Sequence, residues 1–187
     1  MNTVLFPGGP LPLRIFEARY IDMVSACLKA DSPFGVLLIK HGEEAGPSTT
    51  HEIGTLAKIT DFYQGSDGLL GITAIGQQRF RLLSSDRQSD GLNIGDVELI
   101  PPEIPMPLPD RNDALPEMLG HVLEDLGRLY EYTDWHIDDA VWISYRFLEI
   151  LPIDLEHKQL SLESSDTEAR LKLVKELLDS VRGPARE

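Results

Sequence analysis

The segment PPEIPMPLPD, Pro101 to Asp110, carries five prolines in ten residues. Each proline removes a backbone donor and fixes its own φ, so neither a central strand nor a helix interior can run through it. The segment reads as a stiff connector, extended and partly polyproline-like. The hydrophobic patterns on its two sides differ in kind. About residues 1–100 carry the short runs and tight turns of strands, and about residues 111–183 carry helical stripes. We place the boundary at 105/106, giving a β-rich unit over 1–105 and a helical unit over 106–187.

In the β-rich unit, Thr3 to Phe6 is a short apolar run ending at Pro7-Gly8-Gly9-Pro10, a turn by composition. Pro10 to Leu13 then runs extended. Phe16, Tyr20, Val24 and Leu28 recur every four residues, predicting a helix over 16–30 that Asp31-Ser32-Pro33 stops. Phe34 to Lys40 predicts a buried strand, His41 to His51 an exposed loop, and Glu52 to Tyr63 another strand. Gln64 to Gly68 supplies a hairpin loop. Further strands are expected over 69–75, 79–82 and 92–100, with a turn at Ser89-Asp90-Gly91 before the last. Successive strands joined by short turns predict an antiparallel sheet or partly closed barrel, not a βαβ fold.

In the helical unit, Leu115, Leu119, Val122, Leu126 and Leu129 form one stripe. Gly120 and Gly127 interrupt it. Each costs about 1 kcal/mol relative to Ala, which points to close helix packing or a kink. Asp138 to Leu151 is apolar on most faces and predicts a centrally buried helix; with Asp138 as its cap, Ile137 can staple to Trp142. Pro152 ends it. A short helix follows over 154–162. Ser165-Asp166-Thr167-Glu168 then fits a capping box opening a last helix, which Gly183-Pro184 closes. The fold class is α+β: an antiparallel β unit with one early helix, then a C-terminal helical bundle.

Asp and Glu number 31 against 17 Lys and Arg, a net charge of −14. Nucleic-acid affinity comes mainly from basic side chains that displace counterions, so this balance opposes a phosphate-backbone partner and, equally, an anionic membrane. No apolar run approaches the ~18 residues of a spanning helix. Met1 to Pro7 has no basic region leading into an apolar core, so we expect a cytoplasmic location. Cys27, the single cysteine, reads as a small core residue. There is no Gly-rich phosphate loop and no Gly-x-Ser-x-Gly elbow. His121 and Asp125 stand at i and i+4, but a tetrahedral metal site needs three or four ligands. Glu43-Glu44 and Asp138-Asp139 read as a solvated loop and a helix N-terminus. We therefore expect no catalytic residue, no metal and no cofactor.

Pro10 to Tyr20, PLPLRIFEARY, remains. Phe16 and Tyr20 are expected one turn apart on a helical face, and Arg14 or Arg19 either pairs with acidic groups of the β unit or reaches a ligand. The string FPGGPLPLRIFEARYIDMV, from Phe6, resembles the opening of the Lon-type N-terminal domain, in which Phe-Pro and then Pro-Leu-x-Ile-Phe-Glu-x-Arg-Tyr precede the first helix. The likeness continues at Phe34-Gly35-Val36, at HEIGTLA from His51, and at IGQQRFR from Ile75, in the family's order over about residues 3–100. Around Leu151-Pro152 and KQLSLE from Lys158, the helical unit is similar to the bundle that follows this domain in stand-alone members.

The resemblance implies a PUA-like pseudobarrel that helps recognise unfolded polypeptide and supports assembly; a related domain belongs to a substrate receptor. The ATPase and Ser-Lys peptidase modules of full-length Lon are not in this sequence, so no proteolysis is implied. We expect a non-catalytic polypeptide-binding or adaptor module. Its partners are unfolded or client polypeptides, with a separate protease or chaperone as a further partner, and neither nucleic acid nor membrane. Candidate contact residues are Arg14, Arg19, Tyr63 near the hairpin tip and Trp135 at the interhelical turn; either aromatic can equally be core. One alternative is an enzyme of unrecognised type, holding a small ligand between the two units by acid–base chemistry. Another is RNA binding through the PUA-like surface, which the charge opposes.

Overall fold

The computed structural model describes residues 1–42, 48–65, 68–110 and 113–182. In chain order its elements are β1 (Pro10–Ile15), α1 (Ala18–Ala30), β2 (Phe34–Val36), β3 (Ile39–Gly42), β4 (Ser48–Thr50), β5 (Ile53–Gln64), β6 (Leu70–Arg87) and β7 (Asn93–Leu99). After the proline connector come α2 (Leu115–Leu126), a 3-10 turn (Gly127–Tyr130), α3 (Ala140–Ile150), α4 (Leu155–Glu163) and α5 (Thr167–Arg182). Glu43-Glu44, Ser66-Asp67 of the expected hairpin loop and Gly183-Pro184 lie outside the described residues.

β6, 18 residues long, is the spine. One of its edges pairs with β5. The other takes β1 along Leu70–Ile75 and then β7 along Phe80–Arg87. β2 adds to the far side of β5, and every pairing is antiparallel, as the sequence predicts. β1 and β2 are not paired with each other, so the sheet is antiparallel but is not a closed barrel. β-Bulges at Thr55/Ala57, Ile59/Asp61 and Leu82/Ser84 bend the long strands without bringing the edges together.

Two strands expected over 69–75 and 79–82 are thus one. The N-terminal turn is the reason. Gly8 N–H donates to the Gly76 carbonyl at 2.7 Å, and Gly76 N–H donates to the Gly9 carbonyl at 2.8 Å. The turn satisfies β6 in the gap between β1 and β7, so the chain stays extended through Gly76-Gln77-Gln78. In contrast, the single strand expected over 34–40 splits. The N-terminal amine donates to the Leu37 carbonyl and Ile39 N–H to the Met1 carbonyl, drawing the chain off β5 and into a ribbon with β4. That ribbon occupies part of the expected 41–51 loop.

α1 starts at Ala18, not Phe16, because Ile15 is committed to β1. Phe16 and Leu28 are exposed, and the buried face carries Arg19, Val24 and Cys27. α2 ends where Gly127 takes φ 49°, so this glycine breaks the helix; a side chain at Gly120 would meet nothing within 4 Å, so close packing is not its role. α3 is capped by Asp139 rather than Asp138. Its Oδ1 accepts from Val141 N–H and also from Met106 N–H of the connector, both at 3.0 Å. Ile137 is exposed, and Trp142 meets His136 instead. α5 is capped by Asp166, which accepts from Ala169 N–H, since the Ser165 hydroxyl is taken by Arg79.

Two cores result. One lies between α1 and the sheet and contains Leu5, Leu11, Ile15, Val24, Cys27, Ile72 and Ala74. The larger surrounds α3, nine of whose 11 residues are buried. It also takes Val4, Phe6, Leu38 and Ile53 from the sheet side. Thr3 to Phe6 forms no strand; it threads between the cores, Leu5 to one and its neighbours to the other. Burying a side chain such as Phe6 contributes about 1.5–3 kcal/mol.

Gly76→Ala and Gly120→Ala separate these roles. A methyl group at Gly76 would run into the Phe6 carbonyl, whereas one at Gly120 has room. Urea unfolding should show the first variant losing about 1–3 kcal/mol and the second gaining about 1 kcal/mol.

Candidate functional site

The connector passes over the start of α5, and an open cleft of about 760 Å³ lies between them, walled by Pro101, Pro102, Ile104, Met106 and residues 164–168. Its floor is Glu103. This carboxylate takes the Tyr145 hydroxyl on Oε1, with Arg79 Nη2 at 3.2 Å. Oε2 accepts from Arg170 Nη2 at 2.6 Å and the Thr167 hydroxyl at 2.9 Å. Burial by itself raises the pKa of Glu103. Hydrogen bonds from Arg170 and Tyr145, the Arg170 charge and the Thr167 hydroxyl outweigh it and hold the carboxyl below its usual value. Burial, followed by the Glu103 contact, pushes the Tyr145 hydroxyl up.

The two arginines are saturated in turn. Arg79 donates to the Leu162 and Ser164 carbonyls at 2.7 and 3.0 Å. Arg170 donates to the Ser144 hydroxyl and the Ser164 carbonyl, and its guanidinium lies 4.3 Å from the centre of the Tyr145 ring. β6, the connector, α3, α5 and the turn before α5 therefore meet on one carboxylate.

A second buried pair sits under the N-terminal turn. Arg146 Nη2 lies 3.1 Å from Glu149 and 2.9 Å from the Pro7 carbonyl. Burial raises the pKa of Glu149 against the pull of Arg146. Trp142 Nε1 and Arg146 Nη1, buried without a protein acceptor, flank Gly8. Among the described residues no three of His, Cys, Asp and Glu converge as metal ligands, and no helix is long and apolar enough to cross a membrane.

The four candidate contact residues divide. Arg19 is buried: it donates to the Gly91 carbonyl at 2.7 Å, pairs with Glu17 at 2.7 Å, and so ties α1 to the β6–β7 turn. Arg14 and Tyr63 come together. Both lie opposite Gly71 in the sheet register, one on β1 and one on β5, so Arg14, Gly71 and Tyr63 form a row on one face. The Tyr63 ring covers Gly71. Trp135 is partly exposed on the segment before α3. That segment reaches the same sheet face through Tyr132, whose hydroxyl is raised mainly by the Asp61 charge.

Sequence patterns missed other exposed apolar residues. Phe62 is 61% exposed, and with Tyr63, Gln64, Gly68 and Leu70 it rims a hollow of about 440 Å³ at the hairpin tip. Every residue of β7 is exposed; Val97 and Leu99 stand open there, as does Leu83 across the ribbon. Periodicity cannot tell such a strand from a half-buried one, because the missing information is what packs on it.

Residues 1–180 match the family model of the ATP-dependent protease La (LON) substrate-binding domain, and the chain belongs to that family. It is similar to the Lon N-terminal domain protein from Xanthomonas campestris, at 30% identity and TM-score 0.73 over 93% of this chain and 92% of that one. The N-terminal domain of Mycobacterium avium complex Lon protease shares the fold at 17% identity and TM-score 0.58, over 94% of this chain and 92% of that one. Protein cereblon of Xenopus tropicalis is 30% identical over 66% of this chain and 27% of its own length. Lon protease 2 of Myxococcus xanthus is 25% identical over 97% of this chain and 23% of its own. The chain thus spans about a quarter of the curated relatives it matches.

Glu103→Ala would leave Arg79 and Arg170 buried without their counter-charge, so urea unfolding at neutral pH should show a loss of about 3–5 kcal/mol. The depressed pKa also sets a sign. The Glu103 contribution is complete above the unfolded carboxyl value, about 4.3, and is lost as pH falls through the lower folded value. The variant's stability should therefore fall less steeply than the parent's below that pH.

Proposed function

We propose that this chain binds polypeptide without cleaving it, as an adaptor-like module. Unfolded or client polypeptides are its ligands, and a separate protease or chaperone receives them. Family membership supports the substrate-binding part of this reading. The observation that carries it in this chain is the hairpin tip, where Phe62, Tyr63 and Leu70 rim an open hollow and Arg14 stands across β6 from Tyr63. Exposed aromatic side chains around a hollow suit the apolar side chains that an unfolded chain presents. Trp135 extends this surface as a candidate contact.

The rival reading, small-ligand chemistry in the cleft beside α5, loses its natural base. Glu103 accepts from Tyr145, Thr167 and Arg170 and pairs with Arg79, which leaves it no lone pair aimed at a substrate. Asp166 is engaged as a helix cap.

Fluorescence anisotropy with a labelled, reduced and alkylated model polypeptide tests the proposal. The Phe62→Ser, Tyr63→Ser double variant should weaken binding about tenfold, 1.4 kcal/mol. Its thermal unfolding should stay close to the parent's, since both side chains are largely exposed. Unchanged affinity would remove the hairpin tip as the contact surface.

A further inference from the structure

Among the described residues β7 pairs with β6 on one side only. Its backbone directions follow from two bonds at its ends: Ile100 N–H donates to the Arg79 carbonyl, and the Leu92 carbonyl accepts from Gln88 N–H. Backbone groups alternate sides along an antiparallel strand, and the bulge in this ribbon lies on β6. Residues 92, 94, 96, 98 and 100 therefore point toward β6. Asn93, Gly95, Val97 and Leu99 point their N–H and C=O groups outward. Side-chain alternation places Val97 and Leu99 on one face, in register with Leu82 and Phe80, and Ile94, Asp96 and Glu98 on the other.

We propose that the free edge of β7 captures an extended segment in which apolar residues alternate with Lys or Arg, adding it to the sheet as an antiparallel strand. This deepens the polypeptide-binding reading above and rests on it. Main-chain hydrogen bonds at Gly95, Val97 and Leu99 hold the segment. Its apolar side chains continue the Val97–Leu99 face, and its basic ones meet Asp96 and Glu98. Charge selects this occupant over a second copy of the chain. Antiparallel β7–β7 pairing with like faces together sets Asp96 and Glu98 of one copy against those of the other. Only odd-numbered residues of β7 point outward, so no hydrogen-bonded register sets Val97 or Leu99 opposite a carboxylate instead. That pairing is unfavourable, whereas a basic strand is attracted, and the net charge of −14 strengthens that pull.

The full chain is titrated at low salt with a labelled peptide of alternating Val and Lys, and with the same residues in two blocks. Two further peptides carry N-methyl groups on the Val or on the Lys positions. Residues opposite the outward-pointing groups of β7 are the apolar ones, so methylation on Val should abolish binding and methylation on Lys should leave it. The alternating peptide should bind about tenfold or more tightly than the blocked one. It should slow amide exchange at Gly95, Val97 and Leu99. Asp96→Lys with Glu98→Lys should transfer the preference to an alternating Val-Glu peptide. Equal binding of alternating and blocked peptides overturns the proposal, as does indifference to Val methylation, exchange slowing confined to the β5–β6 tip, or self-association that competes for the edge. If these peptides fail while the alkylated polypeptide still binds, the β7 proposal falls and the hairpin reading stands; if neither binds, both fall.

Discussion

One buried carboxylate fastens this molecule. Glu103 stands on a connector whose prolines deny it any secondary structure of its own, yet it receives donors from β6, α3 and α5. A charge taken out of water is costly unless its partners surround it. Here two guanidiniums and two hydroxyls do so, and the arginines also donate to the Leu162 carbonyl of α4, to the turn before α5 and to the Ser144 hydroxyl of α3. Sheet and helices cannot shift relative to each other without stranding at least one charge. That is a directional constraint, which apolar packing around α3 lacks.

The N-terminal turn does for the sheet what Glu103 does for the helices. It completes the β6 edge between β1 and β7, and its Pro7 carbonyl accepts from the buried Arg146. Gly8 and Gly9 are suited to this because the turn must approach both a strand backbone and the side chains of α3. Arg19 adds a third tether, from α1 to the β6–β7 turn. Of the two arginines that look available for ligands in the sequence, Arg19 is thus consumed by the fold.

Six of the large apolar side chains that the fold leaves open, Phe62, Tyr63, Leu83, Ile94, Val97 and Leu99, stand at the sheet's extremities. The β5–β6 tip and the β6–β7 ribbon extend past the cores, so Phe62, Leu83, Val97 and Leu99 stay exposed. Both are held on β6, which pairs with β5, β1 and β7, so these exposed surfaces are already ordered by the sheet. The net charge of −14 opposes association between such surfaces of two copies.

Much of this was legible in the residues. Five prolines placed the connector, strand-length runs the antiparallel sheet, α3's all-round apolar face its burial, and the string from Phe6 the family. These are local properties, set by backbone dihedrals and by repeats of two or about four residues. Arg14 and Tyr63 were legible as candidates, but not as neighbours: only register across β6 joins residues so far apart in sequence. Likewise Phe16 and Leu28 matched a buried stripe and are exposed, while Arg19 looked available and is buried. Local sequence determined which elements form and where they stop. Tertiary structure decided which polar groups are spent on the fold and which edges stay open, because burial and pairing depend on distant segments whose contacts no local pattern encodes.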